Sequence, residues 1–186
     1  MIRAPDPELQ IEFAAALAEI RNRYLQNALG ETVRALLVPE IDKELAAHVP
    51  THSLTALAVH GLRGEMIFPV PLVLAANPLL LGYYRLLYGY SQKEFYTAAT
   101  QIGRFKSMEE RGVLSATVAP QLPELCNALC RAGALLLAGI GTAKISAALL
   151  DDLTLLTLGP QLRGGANVRK GTAGIRLVFN AIQEIV

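Results

Sequence analysis

Apolar residues recur every three or four positions from Leu9 to Ala28, which is the period of one helical face. Asp6 is a good N-cap ahead of this pattern, and Pro7 fits the first helical position. Gly30 is typical of a residue just past a helix end. The pattern therefore predicts an amphipathic helix that begins near Pro7 and ends at Gly30.

The next thirty or so residues, Glu31–Gly61, continue the helical pattern and are interrupted by prolines. A second helical stretch is predicted from Glu31 to about Ala47, with a break at Pro39. Thr51 or Ser53 can then cap a short helix that extends to residue 61. The first third of the chain is thus predicted to be almost entirely helical.

Two apolar runs raise the question of a membrane span. Met66–Tyr84 is uncharged for 19 residues, which is close to a spanning length. Three prolines and Asn77 interrupt this run, and Asn77 followed by Pro78 is typical of a helix start. The second run, Ala132–Ala143, is too short to span. Both runs are interpreted as buried core, so no membrane contact is expected.

Tyrosines are concentrated in one segment. Five of the six tyrosines lie between Tyr83 and Tyr96, in a stretch predicted to form two short helices joined near Gly89. Such a cluster can stack on nucleic-acid bases or pack through hydrogen-bonded hydroxyls. The surrounding leucines favour packing, with base stacking as the alternative.

The remaining segments complete a mainly helical pattern. Gly103–Gly112 is polar and predicts a loop with a helical turn, and Leu122–Leu137 predicts a buried helix. Leu150–Gly159 alternates weakly and fits either a strand or a helix end. The next ten or so residues predict a glycine-rich loop, followed by an amphipathic helix over Thr172–Val186. The fold class predicted is mainly α with minor β, in a single helical region over residues 1–186.

Composition changes this picture in two ways. The charged fraction is 18% and the hydrophobic fraction 52%, so a core is feasible and part of the surface is expected to be covered by a partner or by further chain. The net charge of +1 excludes a binder of nucleic acid that depends on bulk charge.

Cys126 and Cys130 share a helical face and are expected to be ordinary buried thiols. With no signal-peptide pattern, the cytosol is the expected compartment.

One basic loop could bind phosphate. No acid occurs from Leu153 to Gln183, whereas RGGANVRKG carries several cations on a flexible, glycine-rich backbone. The candidate DNA-binding residues in this loop are Arg163, Asn167, Arg169 and Lys170. The alternative is a solvated loop with ordinary charges.

A second candidate segment is SQKEFYTAATQIGRFKSMEERG. Its candidate DNA-binding residues are Gln92, Lys93, Arg104, Lys106 and Arg111. The cations can reach phosphates, and Gln92 or the arginines could read base edges. Glu94, Glu109 and Glu110 offer the alternative that these charges form surface ion pairs.

The catalytic signature of many DNA-cutting enzymes is absent. Such enzymes hold a divalent metal with two acids and place Glu or Asp two residues before a lysine. The residues two positions before the five lysines are Ile41, Ser91, Arg104, Thr142 and Val168. None of these is acidic, so the chain lacks this motif and is expected to be inactive alone. The last predicted helix also has no stop signal at Val186, which leads us to expect that the natural chain continues.

Six strings together resemble the XcyI-type type II restriction endonuclease family. They are PELQIEFAAAL, GLRGEMIFPVP, ANPLLLGYYRLLYGYSQKEFY, GRFKSMEERG, LPELC and DDLTLLTLGPQLRGGANVRKG, and the likeness extends from about Pro7 to Val186. The resemblance implies an enzyme of a prokaryotic cytoplasm that cuts duplex DNA at CCCGGG with Mg²⁺. It also implies a homodimer, because a palindrome presents two equivalent half-sites.

The resemblance further implies that the chain is the N-terminal part of a longer enzyme, ahead of a restriction-endonuclease-like α/β core. Thr172–Val186 could be the first helix of that core, with Glu184 a candidate catalytic acid, and Glu65 is another candidate. Metal ligands are unknown. This segment would supply scaffold, DNA contacts or a dimer surface. The alternative from a different class is a non-enzymatic helical oligomerisation or binding module.

Overall fold

The computed structural model describes residues 14, 15, 18, 25–97, 101–141 and 144–167, with side chains up to residue 158. Every regular element in these residues is a helix. The α-helices are α1 (Gln26–Arg34), α2 (Val38–His48), α3 (Thr51–Val59), α4 (Pro71–Ala76), α5 (Leu80–Leu87), α6 (Gln92–Phe95), α7 (Lys106–Arg111), α8 (Leu122–Ile140) and α9 (Ala147–Asn167). Short 3₁₀ helices cover Gly64–Met66, Ile102–Phe105 and Ala119–Gln121. The mainly α prediction is therefore confirmed for the described part, which contains no strand.

Helix α1 runs through Gly30, so the predicted end at that residue is wrong. A helix-interior glycine costs only about 1 kcal/mol relative to alanine. Burial of Leu25, Ala28 and Leu29 against the rest of the core offsets that cost. The helix ends at Arg34 instead, and most of the predicted first helix before residue 25 lies outside the described residues.

The predicted break near Pro39 is confirmed, although the proline itself belongs to the following helix. Pro39 occupies the first turn of α2, where its missing N–H would have no helical partner anyway. The predicted caps Thr51 and Ser53 are wrong: Pro50 occupies the N-cap position of α3, and no side chain caps this end.

The fold is centred on α5, all of whose residues are buried. Helix α9 packs along α5, and α1 and α7 also contact it. Asn77 lies in the turn just before α5, close to the predicted helix start. Its side-chain oxygen accepts a hydrogen bond from the backbone N–H of Leu79 at 3.2 Å. The run Met66–Tyr84 is core, as its pattern indicated.

Three tyrosine hydroxyls fix the 3₁₀ helix before α4, and the residue that follows it, onto the region of α5. Tyr84, Tyr83 and Tyr88 donate hydrogen bonds to the consecutive backbone carbonyls of residues 65, 66 and 67 at 2.7, 2.7 and 2.6 Å. Burial raises the pKa of all three hydroxyls, so they remain protonated donors. The packing interpretation of the tyrosine cluster is confirmed for these three residues.

Leu150–Gly159 is helical, which corrects the alternative of a strand. Leu150, Thr154 and Leu158 are buried at intervals of four residues, so one helical face of α9 meets the core. The helix continues to Asn167, and the predicted loop is therefore wrong for residues 161–167. The predicted helix Thr172–Val186 lies outside the described residues.

Helix α8 carries both cysteines on its buried face, as expected. Cys126 and Cys130 are free and buried, and the Cys130 thiol donates to the backbone oxygen of Pro69 at 3.4 Å. The helical segment Ala119–Ile140 is longer than the apolar run noted in the sequence. Among the described residues, this segment has the length and the apolar composition needed to cross a membrane. In its most apolar stretch of 18 residues, 33% is buried.

Candidate nucleic-acid interface

Arg85 is the charge that interrupts an otherwise apolar helix, and it is buried. Its side chain is 3% exposed and pairs with Glu109 of α7, which is 6% exposed. Nε and Nη2 of Arg85 donate to the two carboxylate oxygens at 2.9 and 2.7 Å, and Nη1 donates to the backbone oxygen of Tyr90 at 2.6 Å. This bidentate pair ties α5 to α7 and to the turn after α5.

Glu109 also accepts hydrogen bonds from two partly buried side chains. Gln92 donates from Nε2 to Oε1 at 3.1 Å, and the Tyr96 hydroxyl donates to Oε2 at 2.6 Å. Burial alone would raise the pKa of Glu109, but the hydrogen bonds and positive charge of Arg85, helped by these two donors, lower it below its ordinary value. Glu109 is therefore an ionised carboxylate that only accepts.

A glycine on α5 allows α7 to approach this helix closely. Gly82 of α5 faces Glu109, and a Cβ at that position would lie 3.0 Å from Glu109 Cγ.

Helix α6 begins with a capping box, in which the Ser91 side chain accepts from the Glu94 backbone and the Glu94 carboxylate accepts from the Ser91 backbone. The cap fixes the first turn of α6 and with it the position of Gln92.

A surface recess of about 530 Å³ opens beside this network. It is lined by Gln92, Lys93, Tyr96, Thr97 and Lys106. Three of the five candidates predicted in this segment, separated by up to fourteen positions in sequence, are therefore brought together at one place. Tyr96 contributes an aromatic wall whose hydroxyl is turned to Glu109.

The two lysines of the recess differ in their partners. Lys106 pairs with Glu110 at 2.9 Å, one helical turn further along α7, and is 46% exposed. Lys93 is exposed, and no carboxylate of the described residues pairs with it. Of the three glutamates named in the ion-pair alternative, Glu110 therefore forms a surface pair with Lys106, whereas Glu94 serves as a cap and Glu109 is buried.

The chain belongs to the XcyI restriction endonuclease family. The family model matches residues 14–186. The chain is 55% identical over 187 residues to the type II restriction enzyme XcyI of Xanthomonas campestris pv. cyanopsidis, covering all of this chain and 56% of that enzyme. It is 53% identical over 184 residues to the type II restriction enzyme Cfr9I of Citrobacter freundii, covering 98% of this chain and 56% of that enzyme. No solved structure matches the chain.

The family resemblance inferred from the six sequence strings is thus confirmed. The chain spans about half the length of these curated relatives. Membership in a restriction endonuclease family favours the endonuclease over the non-enzymatic module.

Arg104 and Arg111, the other two candidates of this segment, do not line the recess. The Arg104 guanidinium lies 5.4 Å from the ring centre of Phe105 and 3.9 Å from Glu124. Arg111 is exposed at the last turn of α7, without an ion pair among the described residues. Both remain at the surface, where a partner can reach them.

The candidates of the basic segment RGGANVRKG are not assembled into a site by the described residues. The backbone of Arg163 and Asn167 belongs to α9, and their side chains lie beyond the described ones. Arg169, Lys170 and Glu184 lie outside the described residues. Their roles stay predictions.

Glu65, the remaining catalytic candidate, is buried in the 3₁₀ helix before α4. It is 2% exposed, and its Oε1 accepts from the Nε of Arg63, which also pairs with Asp42 at 2.9 Å. Its Oε2 has no hydrogen-bond partner. In the described part, no three His, Cys, Asp or Glu side chains are grouped so that they could hold a metal ion.

Sequence reasoning missed the Arg85–Glu109 pair, although one signal was present. A single arginine within the leucine-rich stretch before Gly89 had to find a buried partner, because an unpaired buried charge is costly. The sequence did not indicate which of three nearby glutamates that partner is.

Proposed function

We propose that this chain is part of a type II site-specific endonuclease that cuts duplex DNA at CCCGGG. In this proposal the described helices supply scaffold, and the recess formed by Gln92, Lys93 and Lys106 contacts DNA. The observation that carries the proposal is the gathering of these three residues at one recess in a chain of a restriction endonuclease family.

The recess combines the two kinds of contact that DNA-binding proteins use. Lysine ammonium groups contact phosphates and position a protein on the duplex, whereas side-chain amides can reach base edges. The net charge of +1 makes a local pair of lysines more important than any overall attraction. Arg111 lies on the same helix as Lys106 and is exposed, so it is a further cation that could contact phosphate.

Mg²⁺ is the cofactor that the resemblance implies, and a metal-activated water would attack the phosphodiester in the endonuclease. The described residues do not provide a ligand set for it. Glu65 is engaged by Arg63 and largely closed to solvent, which does not suit an open magnesium site. We therefore assign no catalytic step to a described residue.

The proposal includes a homodimer acting in a bacterial cytoplasm. A palindromic site presents two equivalent half-sites, which a twofold-symmetric dimer matches. Each protomer would then place one recess against one half-site.

A salt-dependence experiment tests the DNA contact on the protein as its gene encodes it. Binding to a short duplex carrying CCCGGG is measured at several salt concentrations for the wild type, for Lys93→Ala with Lys106→Ala, and for Lys43→Ala. Each lost phosphate contact should reduce the slope of log affinity against log salt by about 0.9. Lys43, an exposed lysine on α2 outside the recess, is the matched control and should leave the slope unchanged.

One outcome tests the DNA contact of the recess, and another tests the endonuclease assignment. Wild-type slope and affinity in the recess double variant would show that the recess does not contact DNA. Absence of cleavage of CCCGGG by the wild type with Mg²⁺ would refute the endonuclease assignment itself.

A further inference from the structure

Gln92 is held in one orientation by a buried charge. Its Nε2 donates to Glu109 Oε1 at 3.1 Å, and Glu109 is itself fixed by three hydrogen bonds from Arg85. An ionised carboxylate has no proton to donate, so a flipped amide would place two acceptors against each other. The amide nitrogen must therefore face Glu109.

The amide oxygen is the end of Gln92 that does not meet Glu109. Gln92 is half-buried and lines the recess, and no donor among the described residues reaches its Oε1. The network thus presents a hydrogen-bond acceptor in a fixed position. A second Nε2 hydrogen is also free for a neighbouring acceptor.

The surroundings of this acceptor suit a nucleotide. Lys93 and Lys106 line the same recess and can neutralise phosphates on either side, and the Tyr96 ring forms part of its wall. In the major groove, the donors that complement an acceptor are the exocyclic amino groups of cytosine and adenine, because guanine and thymine offer only acceptors or a methyl group there.

We propose that Gln92 is a specificity-determining residue that accepts a hydrogen bond from the exocyclic amino group of one cytosine per half-site. Glu109 is its positioning residue, since it fixes which end of the amide meets the base. This inference rests on the proposed function, because it presumes that the recess contacts duplex DNA.

The test removes each partner separately. Wild type and Gln92→Met are compared, in the protein as its gene encodes it, on duplexes carrying CCCGGG. In a duplex series, one cytosine at a time is replaced by an analogue that lacks the 4-amino group. For the wild type, replacement at one position per half-site should reduce affinity about 2- to 13-fold, the range expected for one neutral hydrogen bond. Gln92→Met should bind the unmodified site more weakly by a similar factor and lose nothing further with that analogue.

Controls distinguish this outcome from a structural defect. Gln92→Met should weaken binding to CCCGGG more than binding to unrelated duplex DNA and should leave the salt slope unchanged, because it removes no charge. Loss of Lys93 and Lys106 should weaken binding to both DNAs and flatten the slope. Gln92→Asn keeps an amide with shorter reach and should give an intermediate penalty.

Three results would overturn the inference. The wild type could show no position at which loss of an amino group lowers its affinity for DNA. This measurement uses the wild-type protein alone, so it does not depend on whether any variant folds. Gln92→Met could retain the full analogue penalty, or it could weaken all DNA equally. If instead the wild type failed to bind duplex DNA at all, the proposed function would fail together with this inference.

Discussion

Replacing Glu109 with alanine should strongly destabilise the protein, because it leaves the Arg85 guanidinium buried without a counter-charge. The two side chains are 3% and 6% exposed, so solvent cannot take over the lost partner. The change also removes the acceptor of Gln92 and Tyr96. Breaking a buried pair by removing one partner costs about 3–5 kcal/mol. For a chain of this size, that corresponds to a drop in Tm of about 6–20 °C.

Urea denaturation of a small set of variants measures this cost. Glu110→Ala is the matched control: it removes the neighbouring glutamate, whose pair with Lys106 is solvent-exposed and worth at most about 1 kcal/mol. The double variant Arg85→Met with Glu109→Leu should be less destabilised than Glu109→Ala, since no unpaired charge remains. A cost for Glu109→Ala that equals the cost for Glu110→Ala would refute the reasoning.

The same pair predicts a pH dependence of stability. The pKa of Glu109 is lowered in the folded protein below its ordinary value of 4.5. Its ionised form therefore stabilises the fold fully above that ordinary value, and this contribution is lost as the pH falls through the lower folded pKa. Between neutral pH and this acidic window, the wild type should lose more unfolding free energy than Glu109→Gln. Parallel pH profiles for the two proteins would contradict this expectation.

Three further predictions concern packing. Gly82→Ala should cost about 1–3 kcal/mol because its Cβ would lie 3.0 Å from Glu109 Cγ, whereas Gly139→Ala, which has open space, should be neutral or stabilising. Equal effects in urea denaturation would argue against the close approach. Tyr84→Phe should cost about 1–3 kcal/mol by leaving a buried carbonyl without its 2.7 Å hydrogen bond, and an unchanged midpoint would contradict that role. Burial raises the pKa of Cys130 to about 12, so a thiol reagent at neutral pH should label it only on unfolding; rapid labelling of the native protein would show that the thiol is accessible.

Local chemistry in the sequence predicted several features correctly. Asn77 and Pro78 mark the start of α5, and Pro39 marks the start of α2, because these residues act through backbone geometry within one turn. The four-residue spacing of Cys126 and Cys130 predicted one buried helical face. Such signals depend only on neighbours in sequence, so the sequence alone could carry them.

Features that depend on distant partners were decided only by the tertiary structure. The continuation of α1 through Gly30 and the helical form of residues 150–159 follow from burial against the core, which outweighs weak local preference. The sequence required a partner for Arg85 but could not choose among Glu94, Glu109 and Glu110. The packing of α7 against α5 selects Glu109, and that choice fixes which end of the Gln92 amide meets the carboxylate. A buried charge thus connects residues 24 positions apart, because its desolvation must be compensated wherever folding places an acid.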